Sequence, residues 1–244
     1  MQGQQDNRTP SAVRQLRHAL GAAWRFVRHP RTRSETLTRL LAPRRIHQDS
    51  SLSWPDRYPQ LFAAARTLLE DRPAPSILSF GCAAGEEVVT LRHYFPGAML
   101  TGAEINRGLL RACHRLPPDP RRRFIHSTHA GIAACGPYDA IFAMAVLTRR
   151  PHLVDERDMR NIADFYPYAH FEQELRFLAA QLVPGGLLIV EHSLYRAEDA
   201  LAGIQMEAMI GPGTALAKGR RFDPDGNWIQ PQPIVARIFR KRAA

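Results

Sequence analysis

Lysine is almost missing from this 244-residue chain: Lys218 and Lys241 are the only two, and arginine supplies the rest of its 33 basic residues. Cysteine is scarce as well. Cys82, Cys113 and Cys135 stand too far apart for a disulfide framework or a clustered metal site, so a reducing, cytoplasmic setting is expected and no metal is. No apolar run approaches the roughly 20 residues that a membrane-spanning helix requires. The N-terminus shows neither the compact apolar stretch nor the cleavage pattern of a secretory signal. Composition is otherwise near the globular average, which excludes a collagenous or wholly disordered chain and leaves enough apolar material for one sizeable core.

What is abundant is positive charge, and it is unevenly placed. The 33 Lys and Arg face 23 Asp and Glu, a formal net charge of +10. Residues 1–47 hold ten arginines against Asp6 and Glu35, a surplus of eight, so the remaining 197 residues carry a surplus of only two. The opening MQGQQDNRTP is polar and expected to be disordered. Ser11 can then cap a helix to about Arg28, with Val13, Leu16, Leu20, Trp24 and Val27 on one face and Pro30 as the stop. Three roles compete for it: packing on the main domain or a second subunit, lying on an anionic membrane surface, or serving as an organelle transit peptide. No nucleic-acid partner is expected, since no recognised binding module accompanies the charge. These considerations divide the chain into a basic extension, 1–48, and a main domain, 49–244.

Within the main domain, short apolar strands alternate with helices. Trp54–Leu69 is expected to be a short entry segment followed by a helix, Ser76–Phe80 a buried strand, Glu86–Phe95 a helix and Ala98–Glu104 a strand. A helix from about Arg107 to His114 follows, then strands at Phe124–His126 and Asp139–Met144. A helix over Phe171–Leu182 breaks at Pro184-Gly185-Gly186 before a strand at Leu187–Glu191. Ala197–Met209 reads as helical, and Arg220–Phe222 with Ile234–Arg240 as a closing strand pair. Strands that are apolar throughout and alternate with helices imply an α/β doubly wound, mostly parallel sheet covered on both faces.

The loop after the first strand, ILSFGCAAGEE (Ile77–Glu87), holds the strongest chemical signal. Gly81 allows a sharp turn, the small residues Cys82, Ala83 and Ala84 admit a ligand to the main chain, and a helix opens near Gly85 with its free N–H groups. In open α/β sheets ligands settle at the carboxyl ends of the strands. Glu104 ends the second strand 23 residues beyond Gly81, where an acidic side chain can accept hydrogen bonds from a ribose diol. Loop and acid together indicate an adenosine-containing cofactor.

The glycine spacing G-x-x-x-G, with Ala83 in place of a middle glycine, departs from the G-x-G-x-x-G of nicotinamide enzymes. It resembles the class I S-adenosylmethionine-dependent methyltransferases, as do YDAIFAMAVL (Tyr138–Leu147) and FEQELRFLAAQLVPGGLLIVEHS (Phe171–Ser193). The resemblance spans about 77–193. It implies a Rossmann-like sheet of seven strands whose last strand runs antiparallel, and S-adenosyl-L-methionine as cofactor; the basic extension read above gives an N-terminal helical addition. SFGCAAGEE is most similar to the first motif of chemotaxis-receptor methyltransferases, including Ser79 where most class I enzymes have Asp. Two departures stand against carrying the receptor substrate across: Ala145 replaces the Asn typical after the fourth strand, and Thr128 falls where an acid is common.

By the resemblance, Gly81, Cys82, Ala83 and Gly85 line the donor's amino-acid part, Glu104 holds the ribose, Ile105 borders the adenine, and Ala143 and Met144 lie below the sulfonium. Ser79 and Thr128 belong to the same cofactor set, and Arg57, in WPDRYP, can pair with the donor's carboxylate. Methyl transfer needs alignment more than a base, so only His192, just past the fifth strand, stands as a catalytic candidate. Thr148–His170 is expected to form a lid. TRRP replaces the Asn-Pro-Pro-Tyr motif of base methylases after the fourth strand. The expected acceptor is therefore a small molecule or modified sugar; a protein carboxylate and a cofactor-binding scaffold without turnover are the alternatives.

Overall fold

The computed structural model describes residues 30–41, 46–48, 53–209, 211 and 213–243. The expected Ser11–Arg28 helix lies outside them. The first described element is instead a helix at Pro30–Leu41 (α1), entered through the proline that was expected to act only as a stop.

Pro59 likewise opens α2 (Pro59–Leu68), which buries Leu61, Phe62 and Ala65. Then come β1 (Ser76–Phe80), α3 (Glu86–Tyr94), β2 (Met99–Glu104), α4 (Arg107–Cys113), β3 (Arg122–His126), α5 (His129–Cys135) and β4 (Tyr138–Met144). After α6 (Pro151–Glu156) and α7 (Tyr168–Ala180) the chain enters β5 (Leu182–Glu191). It finishes with α8 (Ala197–Ala200), β6 (Met206–Ala208), β7 (Thr214–Leu216), β8 (Ile234–Ala236) and β9 (Ile238–Lys241).

Seven strands form one sheet in the order β3-β2-β1-β4-β5-β9-β6. The first five run parallel, and β9 alone is reversed, pairing antiparallel with β5 on one side and β6 on the other. The sheet is thus the expected mostly parallel, Rossmann-like one. The order reverses at β1/β4, which leaves a crevice over their carboxyl ends. Side-chain alternation along β4 assigns its two faces: Ile141 and Ala143 enter the core under α7, with Phe171, Leu175 and Leu178, whereas Ala140, Phe142 and Met144 enter the core under α2 and α3, with Phe62, Val88 and Leu91.

Three details differ from the sequence reading. The Pro184-Gly185-Gly186 turn does not delay β5; the strand begins at Leu182, and the extra residues are taken up as a register shift against Tyr138–Ala140, with Gly185 at φ 75°. Only Ala197–Ala200 of the expected Ala197–Met209 helix forms, and Met206–Ala208 becomes the outermost strand. Arg220–Phe222 is not a strand either. Phe222 makes single bridges to Tyr195 and Trp228, while the partner of Ile234–Ala236 is Thr214–Leu216. Among the described residues no helix is long and apolar enough to cross a membrane.

Candidate active site

Over the carboxyl ends of the parallel strands lies a cavity of about 970 Å³. That is near the upper end for small-molecule sites, roughly 300–1,000 Å³. Its floor is the β1–α3 turn. Gly81 takes φ 76°, and a β-carbon there would stand 2.5 Å from Cγ2 of Val146, so both conformation and space call for glycine. Gly85, at φ 98°, caps α3. Strain concentrates around the cavity: of six non-glycine residues with positive φ among the described ones, five line it, namely Asp56, Ala83, Ala145, Arg150 and His192. Backbone cost of this kind persists where geometry serves a site.

Glu104 ends β2 beneath this loop, 6% exposed. Its carboxylate accepts hydrogen bonds from the Ala83 N–H at 2.9 Å and the Asn106 N–H at 2.7 Å, which clamps the glycine loop to the second strand. Burial outweighs these donors and pushes its pKa up to about 7. Each oxygen keeps lone pairs for further donors. Asn106 caps α4 through the Gly108 and Leu109 N–H groups, and Thr128 caps α5 through the Gly131 N–H. The Thr128 hydroxyl is therefore an anchor for the cavity wall.

Across the loop stand an acid and a base, Glu87 and Arg57. Glu87, on the first turn of α3, accepts a hydrogen bond from Ser79 Oγ at 2.7 Å. Burial raises its pKa to about 8, against the hydrogen bond from Ser79 and the nearby Arg57, which both lower it. The Arg57 guanidinium lies 4.2 Å from the centre of the Trp54 ring and 5.1 Å from that of Tyr58. His192, half-buried at the end of β5, packs 5.7 Å from Tyr58. Burial lowers its pKa, Arg57, Arg221 and Lys218 lower it too, and Glu191 opposes them. The ring is therefore neutral at neutral pH.

Of the residues expected from sequence, Arg57, Gly81, Cys82, Ala83, Glu104, Ile105, Thr128, Met144 and His192 line the cavity together. Ser79, Gly85 and Ala143 do not. Ser79 lies under the loop as the partner of Glu87, Gly85 turns the chain behind it, and Ala143 points into the core under α7. Sequence reasoning passed over Glu87, in the Gly-Glu-Glu triplet, and did not place Asn106, Tyr58 or Val146 in the site. It also missed the wall formed by Glu35, Thr38, His47 and Glu174, for which sequence offers no local signal. Part of Thr148–His170 does border the cavity, through Thr148, Arg150–Leu153, Asp155, Glu156 and His170. Among the described residues no three His, Cys, Asp or Glu side chains are grouped as ligands of a metal ion.

No family model and no curated protein matches the chain. Among solved structures it is similar to N-methyltransferase NodS from Bradyrhizobium japonicum WM9, with 18% identity and a TM-score of 0.46 over 77% of this chain and 99% of that one. It is also similar to the bifunctional kinase-methyltransferase WbdD, with 14% identity and a TM-score of 0.47 over 85% of this chain and 46% of that one. The plantazolicin methyltransferase BpumL, in complex with SAH, matches at 16% identity and a TM-score of 0.39 over 80% of this chain and 66% of BpumL. The chain thus spans under half of WbdD and about two thirds of BpumL. All three are methyltransferases by name. At such scores the likenesses lend no weight to a substrate or mechanism, which must come from the pocket.

Proposed function

We propose that this protein is a methyltransferase using S-adenosyl-L-methionine, with a small-molecule acceptor. One observation carries the reading: a single cavity presents an arginine and a carboxylate, Arg57 and Glu87, on one side of the Gly81–Ala83 turn and a buried ribose-type carboxylate, Glu104, on the other. The donor is a zwitterionic amino acid joined through a sulfonium to a ribose and an adenine, and the residues present fit that order of groups.

In this reading Arg57 pairs with the donor's carboxylate and Glu87 with its ammonium. Glu104 accepts from the ribose hydroxyls, and Ile105 and Leu109 border the adenine. The donor supplies a methyl group on a sulfonium, which leaves as a neutral thioether once an acceptor lone pair bonds to the methyl carbon. The protein's part is alignment and exclusion of water. Met144, Ala145 and Val146 form the wall below the reacting centre, and His192 with Tyr58 contacts the acceptor from the β5 side. A volume of about 970 Å³ leaves room for an acceptor beside the donor. From the basic segment 1–48, Glu35, Thr38 and residues 46–48 line this pocket; a membrane role for the segment rests on its surplus charge alone.

Titration calorimetry with S-adenosylmethionine tests the proposal. Binding is expected for the unaltered chain. Glu104→Ala is expected to weaken it about 10- to 100-fold, the worth of hydrogen bonds to a charged group at about 1.5–3 kcal/mol. Absence of binding by the folded, unaltered protein would contradict it.

A further inference from the structure

The wall contributed by residues 46–48, α5 and α7 plays no part in holding the donor, yet it gathers several buried polar side chains on the cavity. Glu174, on α7, has a side chain 13% exposed, and its Oε2 receives the Nε2 of His129 at 3.0 Å. His47 Nε2 stands 3.7 Å from the same oxygen, beyond hydrogen-bond distance. The residue His47 is 3% exposed; its Nδ1 meets the hydroxyl of fully buried Tyr166 at 2.5 Å, and its ring stacks on His170 at 4.0 Å. Burial pushes the Glu174 carboxyl up, but His47 and His129 outweigh it and hold it below its ordinary value. Glu174 thus stays ionised, its Oε2 flanked by the two imidazoles.

Three buried polar atoms of cavity-lining residues have no hydrogen-bond partner: the Tyr58 hydroxyl on the donor side and, in this wall, His47 Nε2 and Thr148 Oγ1, the latter in a residue only 1% exposed. Leaving a buried polar group unpaired costs about 1–3 kcal/mol. The Glu174 carboxylate and the Thr148 hydroxyl ask for the same occupant. A carboxylate or phosphate would be repelled by Glu174, and a single hydroxyl has one proton to donate. A protonated amine carries both the charge and several N–H groups.

We infer that the Glu174–His47–Thr148 wall is the acceptor subsite and that the acceptor reacts through an amine, which enters as its ammonium form. This rests on the methyl-donor reading above. Glu174 receives the ammonium, and Thr148 Oγ1 accepts a second N–H. The nitrogen sheds its one excess proton to water before its own lone pair is free, while His47 stays beside Glu174 Oε2 and supports the charge there. His129 is a positioning residue, which keeps Oε2 aimed at the cavity.

The test uses two donor analogues and no acceptor. Sinefungin carries a protonated amine where the donor has its methyl group; S-adenosylhomocysteine carries nothing there. Calorimetry on the full chain should show sinefungin bound about tenfold or more tightly than S-adenosylhomocysteine. Glu174→Gln, which keeps the shape and removes the charge, should abolish that preference while leaving the affinity for S-adenosylhomocysteine within about twofold. A structure of the unaltered protein with sinefungin, its amine within hydrogen-bond distance of Glu174, gives the same answer without relying on the variant's folding. Equal binding of the two analogues, a preference that survives Glu174→Gln, or an amine directed elsewhere would overturn the subsite. Failure to bind either analogue would instead remove the donor reading on which it stands.

Discussion

At the scale of single residues, the site depends on what a few positions forbid. Gly81 combines a left-handed backbone with contact against Val146, and the turn it makes brings the Ala83 N–H onto Glu104. Gly81→Ala is therefore expected to destabilise the fold by about 1–3 kcal/mol and to weaken donor binding with it, as measured by denaturant unfolding and calorimetry. The reach of sequence reasoning is clearest among these same residues. Gly81, Ala83 and Glu104 were legible because turn chemistry and strand-end position are local properties. Ser79 and Ala143 were named for the right strands, but a strand's alternation sends one under the loop and the other into the core. Glu174 and His47 are 127 positions apart in sequence, so no local pattern could join them.

Among the elements, the parallel strands and the helices between them were readable from apolar runs and from Gly and Pro, while everything after β5 was read less well. The stretch beyond Ala200 is short strands and turns that tertiary pairing alone decides, as where Met206–Ala208 takes the outer edge of β9. This region has a task in the cavity's rim. Arg220 bonds Asp158 at 2.6 Å, reaches Asp155 at 3.3 Å and donates to the Met159 carbonyl at 3.1 Å. Its guanidinium also lies 4.1 Å from the centre of the Trp228 ring, whose other neighbour is Arg160 at 4.6 Å. The C-terminal segment thereby ties down α6 and the turn after it, where Leu153, Asp155 and Glu156 face the cavity. Arg220→Ala should accelerate amide exchange across 153–160 by about tenfold and leave exchange in β1 and β4 unchanged. Unchanged protection in that segment would show that the tie has no hold on it. At the opposite rim, α1 docks where the Gly108 N–H donates to Ser34 Oγ, and Glu35 and Thr38 complete the wall. The described part of the arginine-rich extension, which sequence connected only with docking or location, thus lines the pocket.

For the molecule as a whole, the buried carboxyls set a pH dependence opposite to the usual one for acids in ion pairs. Glu104 and Glu87 titrate near 7 and 8 when folded and near 4.5 when exposed. Between those limits the folded chain binds more protons than the unfolded one, so these two groups make stability fall as pH rises from about 4.5 to 8. Below that window their cost is absent, and above it the cost is complete. Melting followed from pH 5.5 to 8.5 should show the decline, and Glu87→Gln should flatten its upper part. Donor binding runs the other way, because both groups act as carboxylates in the complex. Affinity should rise across pH 6–8, with proton release seen as a buffer-dependent binding enthalpy. A stability that climbs through the same window would contradict the burial of these groups.

The central claim is that one cavity reads both ends of the donor, and two ligands separate the ends. S-adenosylmethionine carries the amino-acid zwitterion; 5′-methylthioadenosine keeps the ribose and adenine without it. Calorimetric affinities of both, for the unaltered chain and for Glu87→Gln, measure the claim directly. The account predicts that the unaltered chain prefers S-adenosylmethionine by about tenfold or more. It also predicts that Glu87→Gln removes most of that preference while binding methylthioadenosine as before. Equal affinity of the unaltered chain for the two ligands, or no binding of either, would contradict it.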